Sequence, residues 1–541
     1  MIRRGKRRAK SPSPRLRRGG KLVDRPIPLF RFSDLRDYPS IVRNGKTTVA
    51  KLPYDAQVTP YLKIDAPAGL MIDMRTDSYM TGNEATVRSE YITRSGEQEF
   101  ESPAWMSGHE VHYTIPPGVK VIALKYRESG YDCDIAGSFH CDDEFFNTLW
   151  QKSARTLYVN MRDTYFDCPD RERAQWWGDI AIDTSETYYG LDRRADRLIA
   201  KGLRELAAWQ RPNGTLFAPI PAGNWDRELP MQMMAACGWF GAWNYYTQTG
   251  DVETIKAIYP AVKRYVAVWK LGEDGLVVHR PGEWDWLDWG QNIDVAPLDN
   301  AWYYLMLKSA AEMARLVGAN EDVAGYEKQM DSIKSHYDAA FFNAAKNEYR
   351  SRDYKGDTDD RANAMAVLCG LAGEAHHDGV REVLRKHHNA SPGMEKYILE
   401  TQCKLGDVEG AQARMKRRYK TMVESPLTTL WEFWDLSGSY NHPWAGGALP
   451  VLSQNIAGIT PTSVAWATFE VRPQLGTLKS IDATVSSPKG PIRITIHREE
   501  KRMTVKLTAP AGTKGKVIFP DGSAFDAGPG ESEFESRAPA R

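Results

Sequence analysis

The chain has few cysteines, and none stands in a pattern that builds a metal site or a disulfide framework. Six occur in 541 residues, and no two form a CxxC pair, which disfavours zinc-finger and small disulfide-rich classes. Cys168 has carboxylates as sequence neighbours, and these raise the pKa of a thiol, so a nucleophilic role for it is disfavoured. We expect no metal centre and no cofactor.

An excess of charge of one sign and long apolar runs are also missing. Lys and Arg number 71 against 70 Asp and Glu, a net charge of +1, so nothing favours nucleic acid or an acidic membrane surface as a partner. No stretch is long and apolar enough to span a bilayer. We therefore expect a soluble protein that binds neither nucleic acid nor membrane.

The N-terminus is basic and rich in Pro, Gly and Ser, beginning MIRRGKRRAKSPSPRLRRGGK. No apolar run follows it, so it predicts neither a signal peptide nor an anchor. We interpret residues 1–40 as a disordered tail or as the cut end of a longer chain. The compartment stays open: cytoplasmic, or periplasmic if the N-terminus is truncated.

Hydrophobic patterning divides the remainder into three parts. Short alternating runs broken by Gly and Pro predict a β-sandwich-like domain over residues 41–135. Residues 136–459 place apolar side chains at helical spacing, as in VKRYVAVW, between long loops rich in Trp, Asp and Gly. This pattern favours an (α/α)6 toroid over a superhelical repeat array, because no fixed period is found. Alternation returns over 460–541 and predicts a C-terminal β-sandwich.

The segment 163–183 combines acids with two adjacent tryptophans, in DTYFDCPDRERAQWWGDIAID. A helix that starts at Pro169 would place Glu172, Trp176, Asp179 and Asp183 on one stripe, since their spacing is i, i+4, i+7 and i+11. Carboxylates beside an indole make a poor core face but a good wall for a sugar pocket. The alternative is a solvated acidic helix end paired with the neighbouring arginines.

A second cluster covers residues 425–447, where Glu432 lies among Trp431, Trp434 and Trp444. Desolvation by such neighbours raises the pKa of a carboxyl, which suits acid–base chemistry. The alternative is a glutamate at a helix start that pairs with an arginine. Glu172 and Glu432 are 260 residues apart, but a closed ring of hairpins would bring them together. Two facing carboxyls are the minimum for glycoside hydrolysis.

These two clusters resemble the motifs of the glycoside hydrolase family 78 α-L-rhamnosidases. The first matches that family's signature in the order Asp167, Cys168, Pro169, Asp170, Arg171, Glu172, Arg173, Trp176, Gly178, Asp179. The second resembles its TTLWE segment followed by an Asn-His pair. The resemblance extends over most of the chain and implies the same multidomain plan. The chain has room for only one β-domain before the toroid, and its loop from Glu432 to His442 is short for the family.

The resemblance implies an inverting exo-glycosidase that acts on terminal α-L-rhamnose, with carbohydrate as its partner. Glu172 would be the general acid and Glu432 the general base. For protonation at neutral pH, we expect Asp167 and Asp179 to outweigh Arg171 in setting the pKa of Glu172. The residues that the resemblance places around the sugar are Asp167, Arg171, Trp176, Asp179, Trp286, His442 and Trp225, with Trp239 as an alternative aromatic wall.

Two other functions are weighed against this one. The first is another (α/α)6 carbohydrate-active enzyme, such as an unsaturated uronyl hydrolase or a polysaccharide lyase. The carboxylates in both motifs would repel an acidic sugar and so disfavour it. The second is a non-catalytic rhamnose-binding relative, which the presence of both glutamates disfavours. A homodimer is left open.

Overall fold

The computed structural model describes residues 23–222, 225–282, 288–500 and 502–536. Within these ranges, the first domain is a nine-stranded sheet with an apolar core of its own. Its strands are β1 (Arg31–Phe32), β2 (Arg36–Asp37), β3 (Ser40–Asn44), β4 (Thr47–Ala66), β5 (Met71–Thr76), β6 (Arg88–Ile92), β7 (Gly96–Glu101), β8 (Met106–Thr114) and β9 (Lys120–Gly130).

The long strand β4 organises this domain. Its first half pairs with β3 and β8, and its second half pairs with β7 and β9. Burial alternates along much of it, so that Val58, Leu62 and Ile64 point into the core. Because one strand serves two sets of neighbours, all nine strands belong to one sheet, and the domain is β-rich, as the alternating pattern predicted.

The described part of the segment predicted to be a tail differs from that prediction. Residues 1–22 lie outside the described residues, but β1 and β2 both pair with β9. Arg31 also forms an ion pair with Asp134 at 2.5 Å and donates to the carbonyl oxygen of Cys133. These contacts attach residues 31–37 to the sheet, which the local composition of the segment does not reveal.

Helices follow, and six inner elements close into a ring. The helices are α1 (Glu144–Val159), α2 (Trp177–Gly190), α3 (Asp196–Ala208), α4 (Pro230–Cys237), α5 (Asn244–Thr249), α6 (Val252–Val266), α7 (Val295–Val317), α8 (Asn320–Phe341), α9 (Asp360–Leu368), α10 (His377–Lys386), α11 (Pro392–Lys404), α12 (Val408–Arg418), α13 (Lys420–Glu424) and α14 (Ala448–Pro450). A two-stranded hairpin, β11 (Phe342–Asn343) and β12 (Glu348–Tyr349), follows α8.

The inner ring runs in the order α2, α4, α7, α9, α11 and the helical turns over 443–456, which pack back against α2. Helices such as α1, α6, α8 and α12 pack outside it. Several helices start where the sequence supplies a cap: the Asp143 carboxylate accepts from Phe145 N at α1, and Ser391 caps α11 just before Pro392. The closed double ring confirms the predicted (α/α)6 toroid.

The C-terminal domain is a sandwich of two sheets. Its strands are β10 (Ser138–Cys141), β13 (Ile459–Pro461), β14 (Thr468–Val471), β15 (Ser480–Ser487), β16 (Gly490–Glu499), β17 (Arg502–Ala509), β18 (Lys514–Ile518), β19 (Ala524–Ala527) and β20 (Gly530–Ser536). One sheet has the order β10-β15-β16-β17-β20 and the other β13-β14-β18-β19. Strand β10 precedes the toroid in sequence but pairs with β15, so the chain enters the toroid from the C-terminal sheet. No helix in the described ranges is long and apolar enough to cross a membrane.

Candidate active site

The segment between Asp167 and Trp176 is a closed loop. Asp167 N donates to Ala174 O at 3.0 Å, and Ala174 N donates to Asp167 Oδ1 at 3.0 Å. Arg173 has φ +51°, outside the helical region. The helix predicted from Pro169 is therefore wrong, because the chain bonds across the loop, and α2 begins only at Trp177.

The loop nevertheless brings the two predicted catalytic glutamates to a single arginine. Arg171 Nη1 lies 2.5 Å from Glu172 Oε1, and Arg171 Nη2 donates to Glu432 Oε2 at 3.1 Å. The Glu432 side chain is 4 % exposed and that of Glu172 15 %. The closed ring thus brings together two carboxylates from distant parts of the sequence.

Burial sets the protonation of Glu172. It raises the pKa of this carboxyl, and the nearby charge of Glu432 adds to the rise. The Arg171 guanidinium opposes it, as does Trp176 Nε1, which donates to Glu172 Oε2 at 2.7 Å. Of the two aspartates expected to cause the rise, Asp167 acts in the opposite direction, because its hydrogen bond lowers the pKa of Glu172. The net direction is still that of a general acid.

Three more predicted residues surround this pair. Asp167 and Asp179 are buried, and burial raises the pKa of each well above its ordinary value. Asp179 lies in the first turn of α2, with its Oδ1 3.7 Å from His442 Nε2. Burial lowers the pKa of His442 to about 4, so the imidazole is neutral at pH 7. This wall offers several groups that can each donate or accept a hydrogen bond.

Glu432 is fixed by a tight turn. Its Oε2 accepts from Ser439 N at 3.0 Å, its own N–H donates to Ser439 O at 3.1 Å, and Trp444 Nε1 donates to its carbonyl oxygen at 3.0 Å. A Cβ at Gly438 would lie 2.6 Å from Glu432 Oε2, so a larger residue there would displace the carboxylate. The sequence pattern placed Glu432 among tryptophans but did not indicate this turn.

The predictions for the three tryptophans of the aromatic wall have different outcomes. Trp225 is 45 % exposed and its ring centroid lies 5.9 Å from that of Trp176. Trp286 lies outside the described residues. Trp239 lines a separate cavity with Phe240 and Lys396, where Glu172 is not among the lining residues. Of the two that are described, Trp225 lines the same cavity as Glu172.

Glu172 and Trp225 line a cavity of about 510 Å³, together with Pro219, Pro221 and Glu84. Glu84 comes from the N-terminal domain, so the mouth of the site is shared between two domains. Its neighbour Gly82 has φ +60°, and a Cβ there would lie 3.2 Å from Arg171 Nε. Sequence reasoning missed this contribution, because nothing local to residues 82–84 indicates which loop they will meet.

Two further contributions were missed. Trp105 of the N-terminal domain lies under Arg173, with the guanidinium 3.4 Å from its ring centroid. Gln232, in the first turn of α4, accepts from Gly178 N at 3.2 Å and so supports the start of α2. Among the described residues, no group of three or more His, Cys, Asp or Glu side chains is arranged to hold a metal ion.

The ring of six inner helical elements, with Glu432 buried and Glu172 partly exposed beside Arg171, has the architecture of the six-hairpin class. Residues 134–456 match the model of the bacterial alpha-L-rhamnosidase six-hairpin glycosidase domain, and residues 458–532 match the bacterial alpha-L-rhamnosidase C-terminal domain. The chain therefore belongs to the bacterial alpha-L-rhamnosidase family.

Its relatives are distant in sequence and longer. An alpha-L-rhamnosidase of Formosa agariphila is 22% identical over 494 residues, which cover 82% of this chain and 50% of the relative. The solved alpha-L-rhamnosidase of Streptomyces avermitilis, complexed with L-rhamnose, is 20% identical with a TM-score of 0.83, covering 95% of this chain and 54% of that one. The solved alpha-L-rhamnosidase from Dictyoglumus thermophilum also gives a TM-score of 0.83 at 20% identity. That match covers 94% of this chain and 64% of the solved one. The chain spans about half the length of the curated relative from Formosa.

Proposed function

We propose that the chain is an inverting exo-glycosidase that removes terminal α-L-rhamnose from glycosides or oligosaccharides. One observation carries the chemistry: Arg171 joins Glu172 and Glu432 at 2.5 and 3.1 Å inside a buried site. The sugar comes from the family and from the names of the relatives.

Glu172 is the general acid in this proposal. Its raised pKa favours the protonated carboxyl. That carboxyl donates its proton to the glycosidic oxygen as the bond between this oxygen and the anomeric carbon breaks. Because Glu172 lines the cavity of about 510 Å³, the leaving group would lie there against Trp225 and the two prolines. An indole and proline rings suit the apolar face of a sugar or an aromatic aglycone.

Glu432 is the general base. The Arg171 guanidinium and the Ser439 N–H hold its Oε2 in place, so that the carboxylate can take a proton from the water that attacks the anomeric carbon. Inversion requires room for that water, which corresponds to carboxyls about 6.5–9.5 Å apart. Asp167, Asp179 and His442 would hold the rhamnose hydroxyls, and Trp176 would cover the apolar edge that carries the C6 methyl.

Substitution of each glutamate tests the proposal. In Glu172→Gln and Glu432→Gln, hydrolysis of an aryl α-L-rhamnoside should fall roughly 10²–10⁴-fold, while the circular dichroism spectrum stays that of the wild type. Glu374→Gln, at an exposed glutamate in the turn before α10, is the matched control. Full activity in either active-site variant would disprove the assignment.

Two further measurements separate the roles. An activated leaving group such as fluoride needs no acid, so it should restore turnover in Glu172→Gln but not in Glu432→Gln. NMR of the first anomer released distinguishes inversion from retention. Rhamnose binding without turnover of any rhamnoside would instead indicate a binding relative. A homodimer stays a prediction, which sedimentation tests.

A further inference from the structure

Thr428, four residues before Glu432, is held by the N-terminal domain. Its N–H donates to His109 Nε2 at 2.8 Å, and its Oγ1 accepts from Asp55 N at 2.9 Å. His109 lies on β8 and Asp55 on β4. These bonds join residues 319 and 373 positions apart in the sequence, and they fall at the start of the segment that carries the proposed general base.

The bond to Thr428 determines the tautomer of His109. Because a backbone N–H donates to Nε2, this nitrogen must be the acceptor and the ring proton lies on Nδ1. Nδ1 faces two carboxylates, Asp55 Oδ2 and Asp77 Oδ2, each at 3.6 Å. The imidazole therefore has a hydrogen bond at Nε2 and the charge of two nearby carboxylates at Nδ1.

The two carboxylates are themselves held in place. Asp55 Oδ1 accepts from Ser107 Oγ at 2.7 Å. Asp77 Oδ1 accepts from the backbone N–H of His109 at 2.8 Å and of Glu110 at 3.1 Å. The orientation of the ring thus rests on β4, on β8 and on the turn at Asp77.

Further backbone hydrogen bonds hold the segment from Thr428 to Glu432. Leu430 N donates to Thr156 Oγ1 at 2.8 Å, and Leu430 O accepts from His442 N at 3.0 Å. Two residues on, Glu432 N donates to Ser439 O at 3.1 Å. Every second residue from 428 to 432 therefore donates its N–H to a defined acceptor, and His109 provides the first of them.

Charges on every side act on His109. Asp55 and Asp77 raise its pKa, burial and Lys152 of α1 lower it, and the net change is a rise. Asp170, in the loop before α2, lies near both aspartates and acts on the same cluster. A second proton would go to Nε2, and the ring would then lose its capacity to accept from Thr428 N.

We propose that neutral His109 is a positioning residue that the N-terminal domain supplies to the general base, acting through its hydrogen bond from Thr428. This inference rests on the proposed function, because Glu432 is the group it positions. It assigns a role in turnover to a domain that contains neither glutamate. It also predicts that acid weakens turnover by ending that hydrogen bond.

Two substitutions at position 109 separate positioning from mere packing. In His109→Ala, kcat for an aryl α-L-rhamnoside should fall roughly tenfold to a hundredfold with KM little changed, because a shift of Glu432 misplaces the water. In His109→Gln the amide oxygen can accept from Thr428 N and the amide nitrogen can face the aspartates. It should therefore retain most of kcat near pH 7 and lose less activity than the wild type on acidification.

His112 supplies the matched control. It lies three residues along β8, with Nε2 3.2 Å from Glu110 Oε2, and makes no described hydrogen bond to Thr428. His112→Gln should leave kcat, KM and the pH profile unchanged. If His109→Gln loses as much activity as His109→Ala, or keeps the acid limb of the wild type, the inference is overturned.

Hydrogen exchange decides the inference without reference to activity. In His109→Ala, amide exchange of the peptide spanning 428–432 should accelerate, while in His109→Gln and His112→Gln it should not. Equal exchange in all three variants would overturn the inference. A wild type that hydrolyses no rhamnoside would refute the proposed function instead, and the exchange result would still show whether His109 orders the segment.

Discussion

Two regions of the inner ring bury carboxylates to the same extent but pair them differently. On α2, Asp183 and Glu186 are fully buried, and all four of their carboxylate oxygens accept no hydrogen bond from the described protein groups. On α9 and α11, Asp360 and Glu395 are also fully buried, but both bond to Arg414 at 2.6–3.0 Å.

The two regions differ in whether a cation compensates the buried carboxylates. Burial raises the pKa of Asp183 and Glu186 well above their ordinary values, so the α2 region favours neutral acids. The guanidinium of Arg414 compensates the charge of its two partners and ties α9, α11 and α12 together. Burial alone therefore does not mark a catalytic carboxyl. The active site has the same ratio, with one Arg171 between two glutamates, but there Arg171 and Glu172 also line the cavity of about 510 Å³.

Removing the compensating cation should have the largest effect on stability. Arg414→Met leaves Asp360 and Glu395 buried without their partner, and we expect the free energy of unfolding to fall by about 3–5 kcal/mol. Urea denaturation measures it. Arg315→Met is the control, since the Arg315 side chain is 40 % exposed and its partners Glu312 and Glu327 are 38 % and 51 % exposed, so its loss should cost about 1 kcal/mol or less. Equal losses would contradict the contrast.

Replacing an arginine by methionine at the active site should affect activity more than stability. Arg171→Met removes the group that joins Glu172 to Glu432, so we expect kcat/KM to fall about 100-fold or more. The loss of stability should be smaller than in Arg414→Met, because Glu172 already has a raised pKa and can bind a proton in place of the cation. A paired measurement of kcat/KM and urea unfolding checks both. If Arg171→Met lost as much free energy of unfolding as Arg414→Met, the contrast between the two regions would be contradicted.

A buried carboxyl without a partner should weaken the fold above its ordinary pKa. The raised pKa of Asp183 means that its contribution to stability is fully present below the unfolded pKa, about 3.9, and is lost as pH rises through the folded value. Asp183→Asn cannot ionise, so we expect it to be more stable than the wild type by about 1–3 kcal/mol at pH 8.

Thermal unfolding at pH 5 and pH 8 measures this gain, which should be larger at pH 8. Asp482→Asn is the control: Asp482 lies exposed on β15 and bonds to Thr495, so its replacement should change stability by no more than about 0.5 kcal/mol. A variant at position 183 that is less stable than the wild type at pH 8 would show that the carboxylate has a compensating partner.

Much of the site could be predicted from the sequence because its chemistry is concentrated in two short segments. Asp167, Glu172 and Asp179 lie within 13 residues, and Glu432 and His442 within 11, so the residue types and their order are informative by themselves. The toroid was predictable for a similar reason, since helical periodicity is local. The closed ring then brings these two segments together.

The remainder depends on contacts that no local pattern contains. The predicted helical stripe was wrong because Arg173 adopts a positive φ and Ala174 bonds back to Asp167, and neither residue type indicates such a turn. Likewise His109 and Thr428 are 319 residues apart. Each is ordinary in its own segment and acquires a role only when the N-terminal sheet packs on the ring.

The smallest expected effect concerns how one hydrogen bond adjusts the pKa of Glu172, the proposed general acid. Trp176 Nε1 donates to Glu172 Oε2 at 2.7 Å and lowers the pKa of that carboxyl. Trp176→Phe removes the donor and leaves an aromatic ring, so the pKa of Glu172 should rise. Because the acid acts when protonated, activity is lost as pH rises through this pKa. The basic limb of kcat/KM should therefore move up, by about one pH unit.

Trp444→Phe tests whether the shift is specific to the carboxyl. Trp444 Nε1 donates to the backbone carbonyl of Glu432, not to a titrating oxygen, so its loss can lower the rate but should not displace the basic limb. An unmoved limb in Trp176→Phe, or an equal shift in both variants, would show that the limb reports another group. A selective upward shift would show that Trp176 Nε1 lowers the pKa of Glu172 as a neutral donor, without adding a second positive charge to the Arg171 guanidinium already beside that carboxyl.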